Sequence, residues 1–400
     1  MEDKLRRLSQ DNAAYRPQEP AERLASPAVC LREVAEFDLN QVSGGLLDDV
    51  TTQAVRVLSR SGDLEDFDLE RAAFVDTETT GLAGGAGTVA FLIGIGYARG
   101  DRFIVEQFFM QDYDVEQEML QSIHKLLRGF DTLVSFNGKS FDVPLIASRS
   151  VLNRIRTPLD ELAQVDLLHA ARRIYKLRLR HCDLQSLERH VLGQEREGDI
   201  PGAMVPAMFF DYLHTGDFEP MKLVLEHNRQ DIVSLMTLLS RLCRAVSHTE
   251  GLSHAEDQYS CARLQQSMGM VEQAEERYRL AAGQGNLGQR ELSLLLKRQG
   301  RHGEAAQMWA DMAATGGFGL FPWEELAKHH EHRTGRLDEA MQAVQRALEQ
   351  AQRMGLGPGT AQWEALVRRR DRLYHKDRSN SSISPGRSSA EGDFAGRQVL

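Results

Sequence analysis

The apolar positions change their rhythm along the chain. Up to about residue 70 they are sparse and set among polar residues, with Pro17 and Pro20 early and the acidic stretch GDLEDFDLE late. This predicts an arm of helices and turns. From Arg71 short continuous apolar runs begin. AAFVD predicts a buried strand and GLAGGAGT a glycine-rich turn, while VAFLIGIGYA and RFIVEQFFM predict two strands meeting in a hairpin at ARGD. Helical spacing runs from Val115 to Leu127. DTLVSF predicts a fourth strand, Val143 to Ser150 a helix, QVD a short strand ending at Asp166, and the following residues several helices to about Arg244. Three strands in a meander, then strands alternating with helices, predict an α/β fold whose mixed sheet is flanked by helices.

After about Leu252 the strand patterns stop and a repeat begins. Gly269, Gly300 and Gly335 each precede an alanine by five residues (Ala274, Ala305, Ala340), and a larger residue follows four later (Tyr278, Trp309, Val344). The glycine spacings are 31 and 35 residues, close to the period of about 34 of tetratricopeptide helix pairs. Glycine suits the turn, and alanine lets paired helices approach. The expectation is an all-α domain of tetratricopeptide-like repeats, with an irregular helical bundle as the plainer alternative. From about Asp377 the chain carries six serines in thirteen residues, which predicts a disordered tail. The expected divisions are therefore 1–70 (arm), 71–250 (α/β domain), 251–375 (repeats) and 376–400 (tail).

With 400 residues, 42% of them hydrophobic and 26% charged, the chain has room for two globular cores. It has no apolar run long enough for a membrane span, and its opening MEDKLRRLSQDN lacks the apolar core of a signal peptide. Cys30, Cys182, Cys243 and Cys261 form no CxxC pair, which argues against a zinc cluster and fits a reducing cytoplasm. The net charge of −10 gives no global attraction to nucleic acid, so any such binding needs a local basic patch.

The candidate chemistry is carboxylate chemistry. In FVDTETTGL, Asp76 and Glu78 are two apart at a strand end, so both face one side. In FNGKSFDVPLI, Asn137 and Gly138 suit a tight turn before Asp142, which is equally suited to cap the next helix. The GKS at 138–140 is not a phosphate-cradling loop, because Leu133 stands where its first glycine belongs; Lys139 can reach a substrate phosphate or simply face water. In HNRQDIVSL, His227 and Asp231 share a helix face, either with Asp231 as metal ligand and His227 as proton acceptor or as an ordinary surface pair. Arg172, Arg173, Lys176, Arg178 and Arg180, with Tyr175 among them, form the clearest basic run. It suits backbone phosphates and base stacking, or a solvated helix face.

Taken in order, DTETTGL, FNGKSFDVPLI and HNRQD resemble the three motifs of the DEDD exonuclease superfamily, whose fold is ribonuclease-H-like. The wider wording, FLIGIGY, DLQSLERHVLG, DIPG and LEHNRQDIVSL, is similar to the YprB-type family of predicted bacterial exonucleases, whose members can carry tetratricopeptide-like repeats. The resemblance covers about residues 71 to 245. It implies Asp76, Glu78, Asp142 and Asp231 as ligands of two Mg²⁺ or Mn²⁺ ions, with His227 as the helper that orients or deprotonates water. The implied reaction is hydrolysis of DNA or RNA from the 3′ end. One departure stands out: superfamily members with a histidine helper usually place it five residues before the last aspartate, and here it is four. Asp166 ranks as a further acid below the four. Two rival readings are a nucleic-acid-binding scaffold that cuts poorly, with a protein partner on the repeats, and a structure-specific endonuclease on the same fold.

Overall fold

A computed structural model describes residues 30–382, apart from 61–63, 65, 82–86 and 197, with the side chains of 380–382 also excluded. Most of the glycine-rich turn, the prolines of the arm and nearly all of the serine-rich tail lie outside the described residues. Among the described residues the chain divides between Ala274 and Glu275 into two compact units.

The first unit is built on a six-stranded sheet of order β1-β4-β3-β2-β5-β6. The strands are β1 (Cys30–Asp38), β2 (Ala72–Thr79), β3 (Ala90–Arg99), β4 (Arg102–Met110), β5 (Thr132–Ser135) and β6 (Ala163–Asp166). β1 to β4 pair antiparallel, while β5 and β6 add in parallel beside β2. β1 departs from the helices and turns expected before residue 71. Its residues alternate between half-buried and exposed, as an edge strand with one wet face does. Charges at Arg32, Glu33 and Glu36 hide that alternation in the sequence.

Counting helices of eight residues or more, α1 is Thr52–Ser59, α2 Glu116–Leu127, α3 Asp142–Leu152, α4 Leu167–Tyr175, α5 Val205–Thr215, α6 Glu219–Ser247 and α7 Ala255–Ser267. β2 is apolar at successive positions because both of its faces are covered. Ala72 and Phe74 join a core with α1, α4 and the second half of α6, while Ala73 and Val75 join another with α2, α5 and the first half of α6. Between its two apolar halves α6 carries the polar segment 226–231, and it packs against β2, β3 and β4.

Two glycines make that packing feasible. A Cβ on Gly94 of β3 would fall 2.4 Å from Asn228 Oδ1, and one on Gly96 2.4 Å from Ile232 Cγ2. The glycines of FLIGIGY therefore set how closely α6 lies on the sheet. Gly94→Ala is expected to destabilise the protein by about 1–3 kcal/mol, read as a lower urea midpoint at unchanged slope. An unchanged midpoint would mean that α6 yields without cost.

The second unit and its approach are helical: α8 (Val271–Gly283), α9 (Gln289–Arg298), α10 (His302–Thr315), α11 (Phe321–His329), α12 (Leu337–Arg353) and α13 (Ala361–Ser382). Gly269, Gly300 and Gly335 all lie in the left-handed region, at φ +78°, +80° and +69°. Ala274, Ala305 and Ala340, and likewise Tyr278, Trp309 and Val344, are fully buried. α13 runs past Asp377, where the sequence pattern had placed the start of a disordered tail.

Candidate active site

The polar segment of α6 lies over the end of β2, where the strand leaves the sheet. Asp76 pairs with Gly94 and Glu78 with Leu92, and the register slips directly after Glu78. Such a bulge re-aims side chains at a strand end. Asn228 Nδ2 donates to Asp76 Oδ2 at 2.9 Å, and Asn228 Oδ1 accepts from Gln107 Nε2 at 2.9 Å. Gln107 also donates to the Leu225 carbonyl at 2.7 Å, so the buried amides hold α6, β4 and Asp76 together.

The parallel strands bring the second motif to the same edge. Val75, Ser135 and Asp166 stand in register across β2, β5 and β6. Asn137, at φ +65°, begins the turn after β5, and its N–H donates to Asp166 Oδ1 at 2.9 Å. Asp166 also caps α4 through the Leu168 N–H at 3.0 Å. It is thus an anchor for the loop that presents Asp142. Asp142 is the first residue of α3, one place inside the cap position held by Phe141. Its Oδ1 accepts from the Thr77 hydroxyl. Gly138 is tight here, because a Cβ would stand 2.5 Å from Ser135 Oγ and 3.1 Å from Asp142 Oδ2.

The third motif supplies His227 and Asp231 from one face of α6. His227 Nε2 lies 3.9 Å from Glu78 Oε1 and 3.7 Å from Asp231 Oδ2. Its Nδ1 lies 2.6 Å from Asp199 Oδ1. Burial by itself would raise the Asp199 acid, but the hydrogen bond from His227, together with the charges of His227 and Arg196, holds it below the usual carboxylate range. The carboxylate therefore accepts, Nδ1–H donates, and Nε2 is left facing the acids.

The electrostatics of these acids are unusual. Burial first, and then the charges of Asp231, Glu78 and Asp142, hold the Asp76 acid well above its ordinary range. Glu78 is pushed up to about 8 by burial and then by Asp231 and Asp142. Asp142 rises to about 6, chiefly through burial and against the hydrogen bond from Thr77. Asp231 is also raised by burial, although Arg196 opposes this. Carboxylates packed so closely need protons or cations. Their oxygens suit a hard divalent cation, and donor atoms of Glu78, His227 and Asp231 lie within 4.8 Å of one another. Arg196 already supplies one positive charge: Nη2 bonds Asp231 and Glu188, and Nη1 bonds Asp199 at 3.2 Å. Burial works against this guanidinium, but Glu188 and Asp231 outweigh it and hold the proton more firmly than usual.

Residues 73–243 match the sequence profile of the RNase_H superfamily. This domain has an RNase-H-like fold. The chain is 29% identical over 335 residues to the uncharacterized protein YprB of Bacillus subtilis (strain 168), spanning 80% of this chain and 81% of that one. Among solved structures it is similar to a family B DNA polymerase from the archaeon Pyrobaculum calidifontis, at 16% identity and a TM-score of 0.36. That match covers 53% of this chain and 29% of the polymerase.

Within the RNase-H-like domain, the residues singled out from sequence have different surroundings. Asp76, Glu78, Asp142, His227 and Asp231 interact with one another as described. Lys139 is exposed on the turn before Asp142. The basic run is divided. Arg172 and Arg180 are exposed, Lys176 Nζ donates to the Arg180 carbonyl at 2.6 Å, and Arg178 pairs with buried Asp257 at 2.7 Å. Arg173 donates to the Leu58 carbonyl at 3.0 Å. Tyr175 is buried and offers no face for stacking. Thr77, Arg196, Asp199 and Asn228 escaped the sequence reading. Thr77 and Asn228 sit inside the quoted motifs, and Asp199 opens the DIPG already noted. Arg196 lies in a charged loop without periodicity, where nothing local marks it.

Proposed function

We propose that the chain is a metal-dependent 3′–5′ exonuclease that hydrolyses phosphodiester bonds of DNA or RNA. Asp76, Glu78, Asp142 and Asp231 would hold two divalent ions, magnesium or manganese. The observation that carries this reading is the largely buried group of four mutually repelling carboxylates beside an imidazole whose Nε2 faces them. Bound ions would neutralise charge on the scissile phosphate and make water more acidic. The chain's own residues do the rest. Asn228 orients Asp76, Thr77 orients Asp142, and His227 Nε2 is placed to accept a proton from water. The four-residue spacing of His227 from Asp231 fits this role, because positions four apart share a helix face.

Asp199 positions that imidazole. Asp199→Ala is expected to lower kcat by about 10–100-fold with little change in KM, and Asp199→Glu to restore part of it. An equal rise in KM, or no rescue, would argue for a role in holding the loop instead.

The direct test uses 5′-labelled single-stranded DNA and RNA with Mg²⁺, Mn²⁺ or EDTA, and a second set blocked at the 3′ end. A metal-dependent ladder shortening from the 3′ end, stopped by the block, supports the exonuclease and names its preferred sugar. Continued cutting of the blocked strand would replace it with an endonuclease. The pairing of Arg196 with Asp231 favours a scaffold that binds without cutting, since the guanidinium occupies an oxygen that an ion would use. Binding without hydrolysis under any metal would establish that reading. Downstream, the thrice-repeated glycine, alanine and large-residue positions support a tetratricopeptide-like unit that grips substrate or a protein partner. Among the described residues no helix is long and apolar enough to cross a membrane. The four free cysteines fit a reducing cytoplasm, which we take as the compartment.

A further inference from the structure

A second constellation lies away from the carboxylates. Arg60, Arg173, Ser260, Arg263, Leu264 and Ser267 line a cavity of about 320 Å³. Arg173 comes from α4 and the residues from Ser260 onward from α7. Arg60 follows α1 in the left-handed region, at φ +53°. Among the described residues, no carboxylate lines this space. Nearby, by contrast, the fold does neutralise a structural arginine, pairing Arg178 with Asp257 at 2.7 Å.

Among the described residues, the charge lining the cavity is under-compensated. Arg173 is half-buried, and its guanidinium is held below its ordinary value by burial and then by the charge of Arg60, with Asp166 a weaker opposing influence. Only one of its nitrogens is engaged in a described bond, to the Leu58 carbonyl. Arg263 is steadied over the Tyr259 ring, 5.8 Å from its centroid. Among the described residues the lining offers three guanidinium groups and no carboxylate, with the Ser260 hydroxyl beside them and that of Ser267 donating to the Leu264 carbonyl at 2.7 Å. Such forks match tetrahedral oxyanions, and a phosphate monoester brings more charge than one carboxylate can.

We propose that this cavity binds a phosphate group, carried either by a polynucleotide backbone or by a nucleoside monophosphate. Arg60 and Arg263 grip the oxygens from the exposed side, and Arg173 supplies charge from beneath. The site does not depend on the hydrolytic reading, because it is tested with cations chelated.

The experiment uses the full chain in EDTA. Anisotropy reads binding of a fluorescein-labelled single-stranded oligonucleotide across a salt series, and calorimetry reads adenosine monophosphate, adenosine and orthophosphate. Arg60→Glu and Arg263→Glu, both at exposed side chains, are each expected to weaken the phosphate ligand at least about tenfold. They should also lower the salt slope by about one unit; Arg263→Lys should retain most of the affinity. Binding of the monophosphate but not of adenosine identifies a small-molecule site. Loss confined to the oligonucleotide identifies the backbone. The proposal is overturned if neither reversal weakens any arm at unchanged melting temperature. It is likewise overturned if Arg353→Glu, on α12, causes an equal loss, since that marks a general charge effect.

Discussion

Asp76→Asn should abolish metal-dependent hydrolysis while making the metal-free protein more stable. The activity loss is expected to be on the order of a thousandfold, or about 4 kcal/mol of barrier, because the acid proposed to hold an ion at the strand end is lost. The stability gain follows from the same geometry. Asp76 is raised far above its ordinary range by burial and by Asp231, Glu78 and Asp142, so the folded protein at pH 8 bears either its charge or the cost of keeping it protonated. Asparagine has nearly the same shape, and its amide oxygen can still accept from Asn228. The variant is therefore expected to melt higher than the parent in EDTA at pH 8. Rates on a labelled strand and melting curves with EDTA or Mg²⁺ test both halves. Metal should raise the melting temperature of the parent protein more than that of the variant. A variant that keeps a tenth of the activity, or melts lower in EDTA, would remove Asp76 from the proposed centre.

The second large effect is the pH dependence of stability. Glu78 rises from 4.5 to about 8 and Asp142 from 3.8 to about 6. Both acids bind protons more tightly when folded than when unfolded. Their contribution is therefore complete below about pH 4 and is lost as pH rises through the folded values. Between pH 5 and pH 8 the metal-free protein should lose roughly 5 kcal/mol, a fall of about 10–20 °C in Tm for a domain of this size. Most proteins gain or hold stability over that range, so the sign is diagnostic. Glu78→Gln should flatten the upper part of the slope, since the titrating proton is gone. Saturating Mg²⁺ should flatten it as well, by giving the ionised carboxylates a partner. A metal-free Tm that is level or rising from pH 5 to pH 8 would show that these acids do not crowd one another as described.

Much of the first unit was legible because its elements are locally self-consistent. The run AAFV reads as a strand buried on both faces, and β2 is one. ARGD reads as a hairpin turn, and β3 and β4 pair to Arg99 and Arg102 on either side of it. Asp76 and Glu78 share a face by alternation, and His227 and Asp231 by helical spacing. β1 was missed because its charged residues mask a period of two whose apolar side meets only one neighbour. The cap reading of Asp142 was plausible from chemistry alone. It gave way once the turn placed Phe141 at the cap and Thr77 within reach.

The sequence by itself determined which residue types stand at the strand ends and on the face of α6, since periods of 2 and 3.6 are properties of a local backbone. Tertiary structure alone decided what those residues meet. The parallel addition of β5 and β6 brought Asp142 and its anchor Asp166 to the edge holding Asp76. Gly94 and Gly96 let α6 descend until Asn228 reached Asp76. A loop without periodicity delivered Arg196 and Asp199 to the far side of Asp231 and His227. Contacts between segments distant in the chain depend on packing geometry, and no local pattern encodes the distance that a fold will close.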